Sequence, residues 1–462
     1  MDLSKIVLIL DNMVLIYSVV MFSVFFIFVI ASALSFNKYR QTEKFIYNFN
    51  LNKSKEYIPI SLLVPAYNEE VTICNTIDSL ISLDYKEYEI IVISDGSKDN
   101  TVELVKRKYN LKYIYKPMKN NIATNEVVAV YKGSKDDISI ILIDKINGGK
   151  ADALNVGINY SSYPIFVAID ADSILQKDSL EKIVIPFMQN EKTIAVGGNI
   201  KISNFTTIKD GTVIKVEKPK GLIVPFQIIE YLRAFLTNRM VWGIFNMNLI
   251  ISGAFGAFNK QVVMEIGGYK SDTVGEDMEL VMRMHKHFLR NKEEYYIGFT
   301  PDANCYTQAP NTLKGLKTQR KRWQIGLIHS MSIHKSMFLN SKWFLAKSYF
   351  LLFELITPIV ELFGVGVITL AFLCKIINLQ LLFQYYFIII VYGLSISIAS
   401  ILFELYAFKE SVKANVILKL ILVSIIEGIG YRQLISLYRV SAFIGYNKNK
   451  HKWGSIKRTK QN

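Results

Sequence analysis

Two aspartates one residue apart, Asp170 and Asp172, end the apolar run Ile165–Ile169. Carboxylates held that close repel each other unless a cation joins them. Hard oxygen ligands select Mg²⁺ or Mn²⁺, ions that also bind diphosphate. A triplet of this kind is common enough by chance to be only a polar turn, so its weight comes from its place at a strand end. Asp95 also closes an apolar run and opens Asp95-Gly96-Ser97. Its carboxylate can accept hydrogen bonds from a base or ribose, or the group can simply turn the chain from strand to helix. Lys150 follows Gly148-Gly149 at an expected helix start, where it can meet a phosphate or stand as a solvated surface lysine.

Gln319, Arg322 and Trp323 stand at i, i+3 and i+4, so a helix projects all three from one face. Arg322 can grip a diphosphate in a bidentate fork, Gln319 can add a hydrogen bond, and Trp323 offers a flat face for a sugar ring. The alternative is an aromatic-and-arginine anchor at a membrane surface. Glu276, Asp277 and Glu279 crowd the start of another helical stretch, either as an acidic first turn or as the seat of a carboxylate base. In Ser252–Phe258 small residues alternate with aromatics, Phe255 and Gly256 among them. That pattern suits close approach of an acceptor and equally suits a packed turn.

These groups need a sheet to position them. Ile60–Val64, Glu89–Ser94, Ile138–Ile143 and Ile165–Ile169 are short runs rich in Ile and Val that read as buried strands. Between the first two, Ile73, Ile77, Leu80 and Ile81 recur at helical spacing and lay one face on the sheet. Ligands of such α/β sheets bind at the carboxyl ends of the strands, where Tyr67-Asn68-Glu69-Glu70, Asp95 and Asp170 all stand. Farther on, Asp210-Gly211 between Phe205–Lys209 and Thr212–Val216 predicts a small hairpin.

With 51% hydrophobic residues and a mean hydropathy of +0.25, the chain is too apolar for an ordinary soluble protein of 462 residues. Its net charge of +15 lies beside apolar runs and at the C-terminus, not on an aromatic-interleaved patch, so lipid and diphosphate are expected partners and nucleic acid is not. Cys74, Cys305 and Cys374 are too far apart for a disulfide framework or a zinc-ligand spacing. Met13–Phe36 is uncharged and long enough to span a bilayer. Ala31-Ser32-Ala33 has the form of a signal-peptidase site, but the run is long for a signal core and has little positive charge ahead of it. Lys38, Arg40 and Lys44 follow the run, which puts the N-terminus outside and the next domain in the cytosol. Tyr349–Cys374, broken by Pro358, and Leu381–Phe403 read as a hairpin of two further spans. Leu420–Tyr431 is shorter and carries Glu427, which favours a re-entrant or interfacial segment. The terminal basic residues Lys448, Lys450, Lys452, Lys457, Arg458 and Lys460 then lie inside.

In this order, Val64-Pro65-Ala66-Tyr67-Asn68-Glu69, Ser94-Asp95-Gly96-Ser97, Gly149-Lys150-Ala151-Asp152-Ala153-Leu154-Asn155, Asp170-Ala171-Asp172, Gly275-Glu276-Asp277 and Gln319-Arg320-Lys321-Arg322-Trp323 resemble the inverting family 2 glycosyltransferases. The likeness is to the membrane-integrated group of cellulose, hyaluronan and poly-N-acetylglucosamine synthases, over roughly residues 58–330. It implies an α/β domain of the GT-A type, a mostly parallel sheet with flanking helices, joined to an α-helical transmembrane region. By resemblance Tyr67, Glu69 and Asp95 surround uridine, Asp170 supports ribose or donor sugar, Asp172 holds Mg²⁺ or Mn²⁺, and Asp277 is the base. Gln319, Arg322 and Trp323 match the group's Gln-x-x-Arg-Trp helix over the diphosphate and acceptor. Gly275 departs from the group's Thr-Glu-Asp, and the membrane part is small for a synthase that forms its own export channel. A UDP-sugar donor, a polysaccharide or glycolipid acceptor, and an export subunit or a second copy are the implied partners. Single addition to a lipid and a non-catalytic nucleotide-binding scaffold are the competing readings. The expected layout is an anchor at 1–45, a cytosolic catalytic domain at 50–311 with the hairpin near 201–220, interfacial helices at 312–346, a transmembrane hairpin at 347–407, and a re-entrant segment with basic tail at 408–462.

Overall fold

The computed structural model describes residues 3–50, 57–118, 122–209, 211–408, 414–444 and 446. Asp210 of the expected turn and the basic cluster from Lys448 to Lys460 lie outside the described residues. The chain opens on α1 (Leu3–Asn50), one helix that continues well past the expected span. The α/β domain then runs β1 (Ile60–Ala66), α2 (Ile73–Ile81), β2 (Tyr88–Asp95), α3 (Thr101–Lys108), β3 (Lys112–Tyr113), β4 (Val127–Lys135), β5 (Ile138–Lys145), α4 (Lys150–Tyr160), β6 (Ile165–Ile169), β7 (Ile174–Leu175), α5 (Ser179–Gln189) and β8 (Thr193–Ile202). It continues through the hairpin β9 (Thr206–Lys209) and β10 (Thr212–Val216), α6 (Ile223–Tyr231), a π-helical stretch (Leu232–Asn238), α7 (Arg239–Ile244), β11 (Phe255–Asn259), α8 (Lys260–Glu265), α9 (Glu276–Asn291) and β12 (Tyr296–Thr307).

Ten strands form one sheet in the order β3-β4-β5-β2-β1-β6-β11-β8-β12-β7, while β9 and β10 pair apart from it. The four expected strands are β1, β2, β5 and β6; they pair in parallel, so their carboxyl ends open on one side. Every residue of β2 and β6 is buried, which is why they read as unbroken apolar runs without alternation. Ile73, Ile77 and Leu80 of α2 pack into the same core, each contributing about 1.5–3 kcal/mol by burial.

Two elements escape the sequence reading. β4 and β5 form an antiparallel hairpin turned by Asp136 and Asp137, both at positive φ, so two aspartates do what Asn-Gly ordinarily does. The expected acceptor loop is instead the buried strand β11, antiparallel to β6 and β8.

After the sheet come α10 (Leu313–Ile333), α11 (Phe344–Tyr349), a π-helical stretch (Phe350–Ile356), α12 (Thr357–Leu373) and α13 (Leu379–Phe408). Pro358 lies inside the continuous helix Phe344–Leu373, just after the π-helical stretch, and the Glu354 carbonyl that its missing N–H leaves over accepts from Arg439, so the proline is accommodated without ending the helix. The last helices are α14 (Ala414–Ile426) and α15 (Arg432–Val440). Among the described residues, four stretches qualify as membrane spans by length and apolarity: Lys5–Gln41, Phe344–Leu373, Leu379–Phe408 and Ala414–Val440. The fourth is broken by non-helical backbone at Ile429 and Gly430, the latter with φ +101°.

Candidate active site

Two loops at the strand ends are laced together. The Lys98 N–H donates to Asn68 Oδ1 at 2.7 Å, the Glu69 N–H to Thr101 Oγ1 at 2.9 Å and the Glu70 N–H to Asp99 Oδ2 at 3.0 Å. Asn68 takes a left-handed conformation to make this turn. Tyr67 is exposed beside it, while Glu69 is buried and accepts a bond from Thr72 Oγ1 at 2.7 Å. The Thr76 hydroxyl donates to the Ala171 carbonyl at 2.7 Å, tying α2 to the Asp170–Asp172 turn.

Asp95 is nearly enclosed. Its carboxylate accepts from Lys145 Nζ at 2.7 Å, from the Gly148 N–H at 2.9 Å and from the Gly149 N–H at 2.7 Å. Lys145, with no exposed side-chain surface, also pairs with Asp152 at 2.6 Å. A buried ammonium is tolerable only when paired on this scale. Asp95 therefore holds the Gly148-Gly149 loop in place. Lys145 and Asp152 were not foreseen as a pair; the one available signal is a lysine separated only by Asp144 from the apolar run Ile138–Ile143.

Lys150 pairs with Asp170 and donates to the Gly253 carbonyl at 3.1 Å. The Gly253 N–H in turn donates to Asp277 Oδ2 at 3.2 Å, and the Met278 N–H donates to Asp277 Oδ1 at 2.8 Å. Asp170, Lys150, Gly253 and Asp277 thus form one connected group, drawn from β6, α4, the β11 approach and the α9 start. Burial alone would lower the Lys150 ammonium, but Asp170, Glu276 and Asp277 outweigh it and hold the pKa above its ordinary value. Glu276, 4% exposed, is pushed up to about 7 by burial, with Lys150 holding it down and Asp277 adding to the rise. Asp277 is only half-buried, so of the two acids it is the more accessible.

Asp172 is buried next to Cys305, whose thiol burial drives upward; the Ser173 hydrogen bond lowers it and the Asp170 and Asp172 carboxylates raise it further. Among the described residues, no three His, Cys, Asp or Glu side chains group as a metal site. Two adjacent hard-oxygen donors without a third fit a divalent cation that takes its remaining ligands from diphosphate and water.

The Gln-x-x-Arg-Trp face expected on a helix lies on α10. Gly275, just before Glu276, abuts Gly326: a methyl carbon placed on Gly275 would lie 2.8 Å from the Gly326 Cα. With no β-carbon on either side, the crossing brings α10 against the start of α9. Arg322 is close enough to act on Glu276 electrostatically, Gln319 lies beside the Tyr231 hydroxyl, and Trp323 keeps 42% of its surface exposed. Phe255 and Gly256 do not join this site. Phe255 has no exposed surface, and Gly256 lies in the strand, tight against Ile251 and Phe258. Aromatics alternating with small residues marked a close-packed strand.

Sequence reasoning also passed over Glu230, Tyr231 and Arg239 on the α6–α7 segment. Arg239 donates to the Ile250 carbonyl at 3.0 Å, near Asp277. Its signal was a few charges set in an otherwise apolar stretch, 222–244.

The family model "Glycosyl transferase family 2" matches residues 61–219, and "Glycosyl transferase family group 2" matches residues 165–403. A poly-beta-1,6-N-acetyl-D-glucosamine synthase of Staphylococcus epidermidis is 31% identical over 267 residues, 58% of this chain and 54% of that protein. The synthase of the same name from Staphylococcus aureus (strain COL) is 32% identical over 284 residues, 60% of this chain and 58% of that protein. The chain thus spans little more than half the length of these curated relatives. Among solved structures, a mannosyltransferase from Pyrobaculum calidifontis, in complex with GDP-Man and Mn²⁺, superposes with a TM-score of 0.54. The match covers 96% of this chain and 99% of that one at 16% identity, a likeness of fold.

Proposed function

This chain belongs to glycosyl transferase family group 2, and from that premise we propose that it is an inverting transferase that extends a β-linked polysaccharide from a UDP-sugar at the cytosolic face of a membrane. The observation that carries this reading is the convergence of Asp277, the Asp170–Asp172 turn and the α10 face on one cleft. The acceptor hydroxyl oxygen bonds to the anomeric carbon as the bond to the diphosphate oxygen breaks. Asp277 takes the hydroxyl proton, the electron pair leaves with UDP, and Arg322 shares the charge that develops there. One displacement inverts the anomeric centre, so no nucleophilic Ser or Cys is needed. Mg²⁺ or Mn²⁺ would be held by Asp172 together with the diphosphate and would supply further stabilisation of the departing charge. Tyr67 and Glu69 flank the nucleotide, Asp95 shapes its loop, and Lys150 holds Asp170 toward the donor sugar. N-acetylglucosamine is the favoured sugar because the Staphylococcus relatives are named as synthases of its polymer; glucose is the second.

The test supplies radiolabelled UDP-N-acetylglucosamine and UDP-glucose to membranes holding this protein alone, with and without chelator. A polymer that disappears with chelation and returns with Mg²⁺ or Mn²⁺ is expected. No UDP release from either donor would leave only a binding scaffold. One sugar per lipid in the organic phase would replace polymer by glycolipid synthesis, the reading that the small membrane region favours, since a lipid acceptor needs no export path. A polymer that stays on the catalytic side would point to an export subunit or a second copy.

A further inference from the structure

Trp323 does not stand alone on α10. The Arg320 guanidinium lies over its ring, 4.5 Å from the centroid, and the Tyr231 ring sits 6.2 Å away at 44°. Arg320 is itself fixed: its Nη2 donates to Glu230 Oε2 at 2.5 Å. The same oxygen accepts from the Tyr431 hydroxyl at 2.9 Å. Tyr431 closes the break between α14 and α15, and its ring stacks on Phe226 of α6 at 4.2 Å between centroids. On the other side of the break, Glu427 accepts from Arg233 at 2.5 and 3.0 Å and from Ser397 at 3.1 Å. Both edges of the break are therefore tied to the one segment that carries Glu230 and Tyr231.

We propose that Glu230 and Tyr431 are positioning residues that hold Arg320 over Trp323 and so fix the platform on which the growing acceptor rests. The inference rests on the acceptor role given to Trp323 above. An arginine stacked on an indole is attracted to the ring face, and its planar fork keeps that geometry only while its nitrogens are held. Glu230 supplies the hold, and Tyr431 donates a second bond to the same partly buried carboxylate. Glu230, Arg320 and Tyr431 bond to one another and bear on Trp323, so their removal acts first on the acceptor platform.

Tyr431→Phe keeps the stack on Phe226 and deletes only the hydroxyl. Glu230→Gln keeps shape and loses the charge, and Arg320→Lys keeps the charge and loses the planar stack. Each is compared with wild type for UDP binding in detergent, donor KM, and product chain length in membranes, with Trp323→Ala as reference. The expected result is unchanged UDP binding and donor KM, with products shortened about tenfold, the factor carried by one charge-assisted hydrogen bond. Products of wild-type length from all three variants would overturn the proposal. Loss of UDP binding would overturn it as well, since the relay would then support the whole fold. Should Trp323→Ala leave product length unchanged, the acceptor role of Trp323 falls first; shortening by Trp323→Ala alone rejects only the relay.

Discussion

At the scale of single residues, two neighbouring acids take different parts because their surroundings differ. Asp277 is the more accessible and accepts bonds from two N–H groups, whereas Glu276 is buried against Lys150. Asp277→Asn keeps the shape and removes the proton acceptor, so transfer should drop by about 10²–10⁴, the usual contribution of a positioned base, with UDP affinity nearly intact. Turnover of the variant at the wild-type rate would remove Asp277 from the mechanism. Glu276, raised to about 7, changes charge across neutral pH. Below that value it is neutral. Above it, a second negative charge stands beside the carboxylate that captures the acceptor proton, so transfer should rise as pH passes through about 7. Glu276→Gln should erase that bend, and a pH–rate profile that keeps it would assign the titration to another group.

At the scale of elements, the site depends on how closely α10 crosses the start of α9. Gly275 and Gly326 meet backbone to backbone, and Glu279 on α9 also binds His334 at the end of α10 at 3.2 Å. The resembling group's Thr-Glu-Asp is Gly275-Glu276-Asp277 here, a change some members share, and a side chain at 275 would have only the Gly326 backbone to displace. Gly275→Thr should therefore push Arg322 away from the diphosphate side and cost about 1–3 kcal/mol of stability by overpacking. Thermal unfolding and transfer assays should both register the loss; a fully active, equally stable variant would show that the helices do not need this contact. The departure at Gly275 was visible in the sequence, but its reason required knowing what α10 brings opposite. The same limit explains the other misses. The parallel strands were legible because full burial makes them apolar throughout, and the three residues on one face of α10 followed from helical spacing alone. β11 was read as a loop because glycines at 253 and 256 look like turn residues until Ile251 and Phe258 are seen against Gly256. Lys145 and Glu230 named no partner in the sequence, because Asp95 and Asp152 for the one and Arg320 and Tyr431 for the other come from other elements.

At the scale of the whole molecule, the ends of the apolar helices report on which side of a membrane each lies. Tyr39 of α1 donates to Asp302 on β12 at 2.6 Å, and Ser32 donates to the Thr237 carbonyl at 2.7 Å. The later part of α1 therefore sits against the catalytic domain and its earlier part points away. Lys201 on β8 pairs with Glu404 at 2.9 Å, so α13 also finishes on the catalytic side. Between its two edges α14 has 13 residues, about 20 Å of helix against a hydrocarbon core of about 30 Å. At the break, Glu427 meets Ser397 and the Arg432 guanidinium crowds Gly393, both in the middle of α13. From there α15 runs back: Ser436 bonds Glu361, Arg439 bonds Gln324 of α10 at 2.7 Å, and Ala442 packs with Val274 and Ile325. Glu354 and Glu361, two acids of one helix face, thus meet α15, which accounts for acids at that depth without a sugar path. This path favours a segment that enters and returns over a fourth crossing, and it agrees with the basic residues that follow Phe36. The expected topology is three crossings with the N-terminus outside and the C-terminus in the cytosol. Protease added to intact cells should then remove an N-terminal tag and spare a C-terminal one. Cleavage of both tags would make Ala414–Val440 a full span, and protection of the N-terminal tag with loss of the C-terminal one would invert the protein and put the catalytic domain outside.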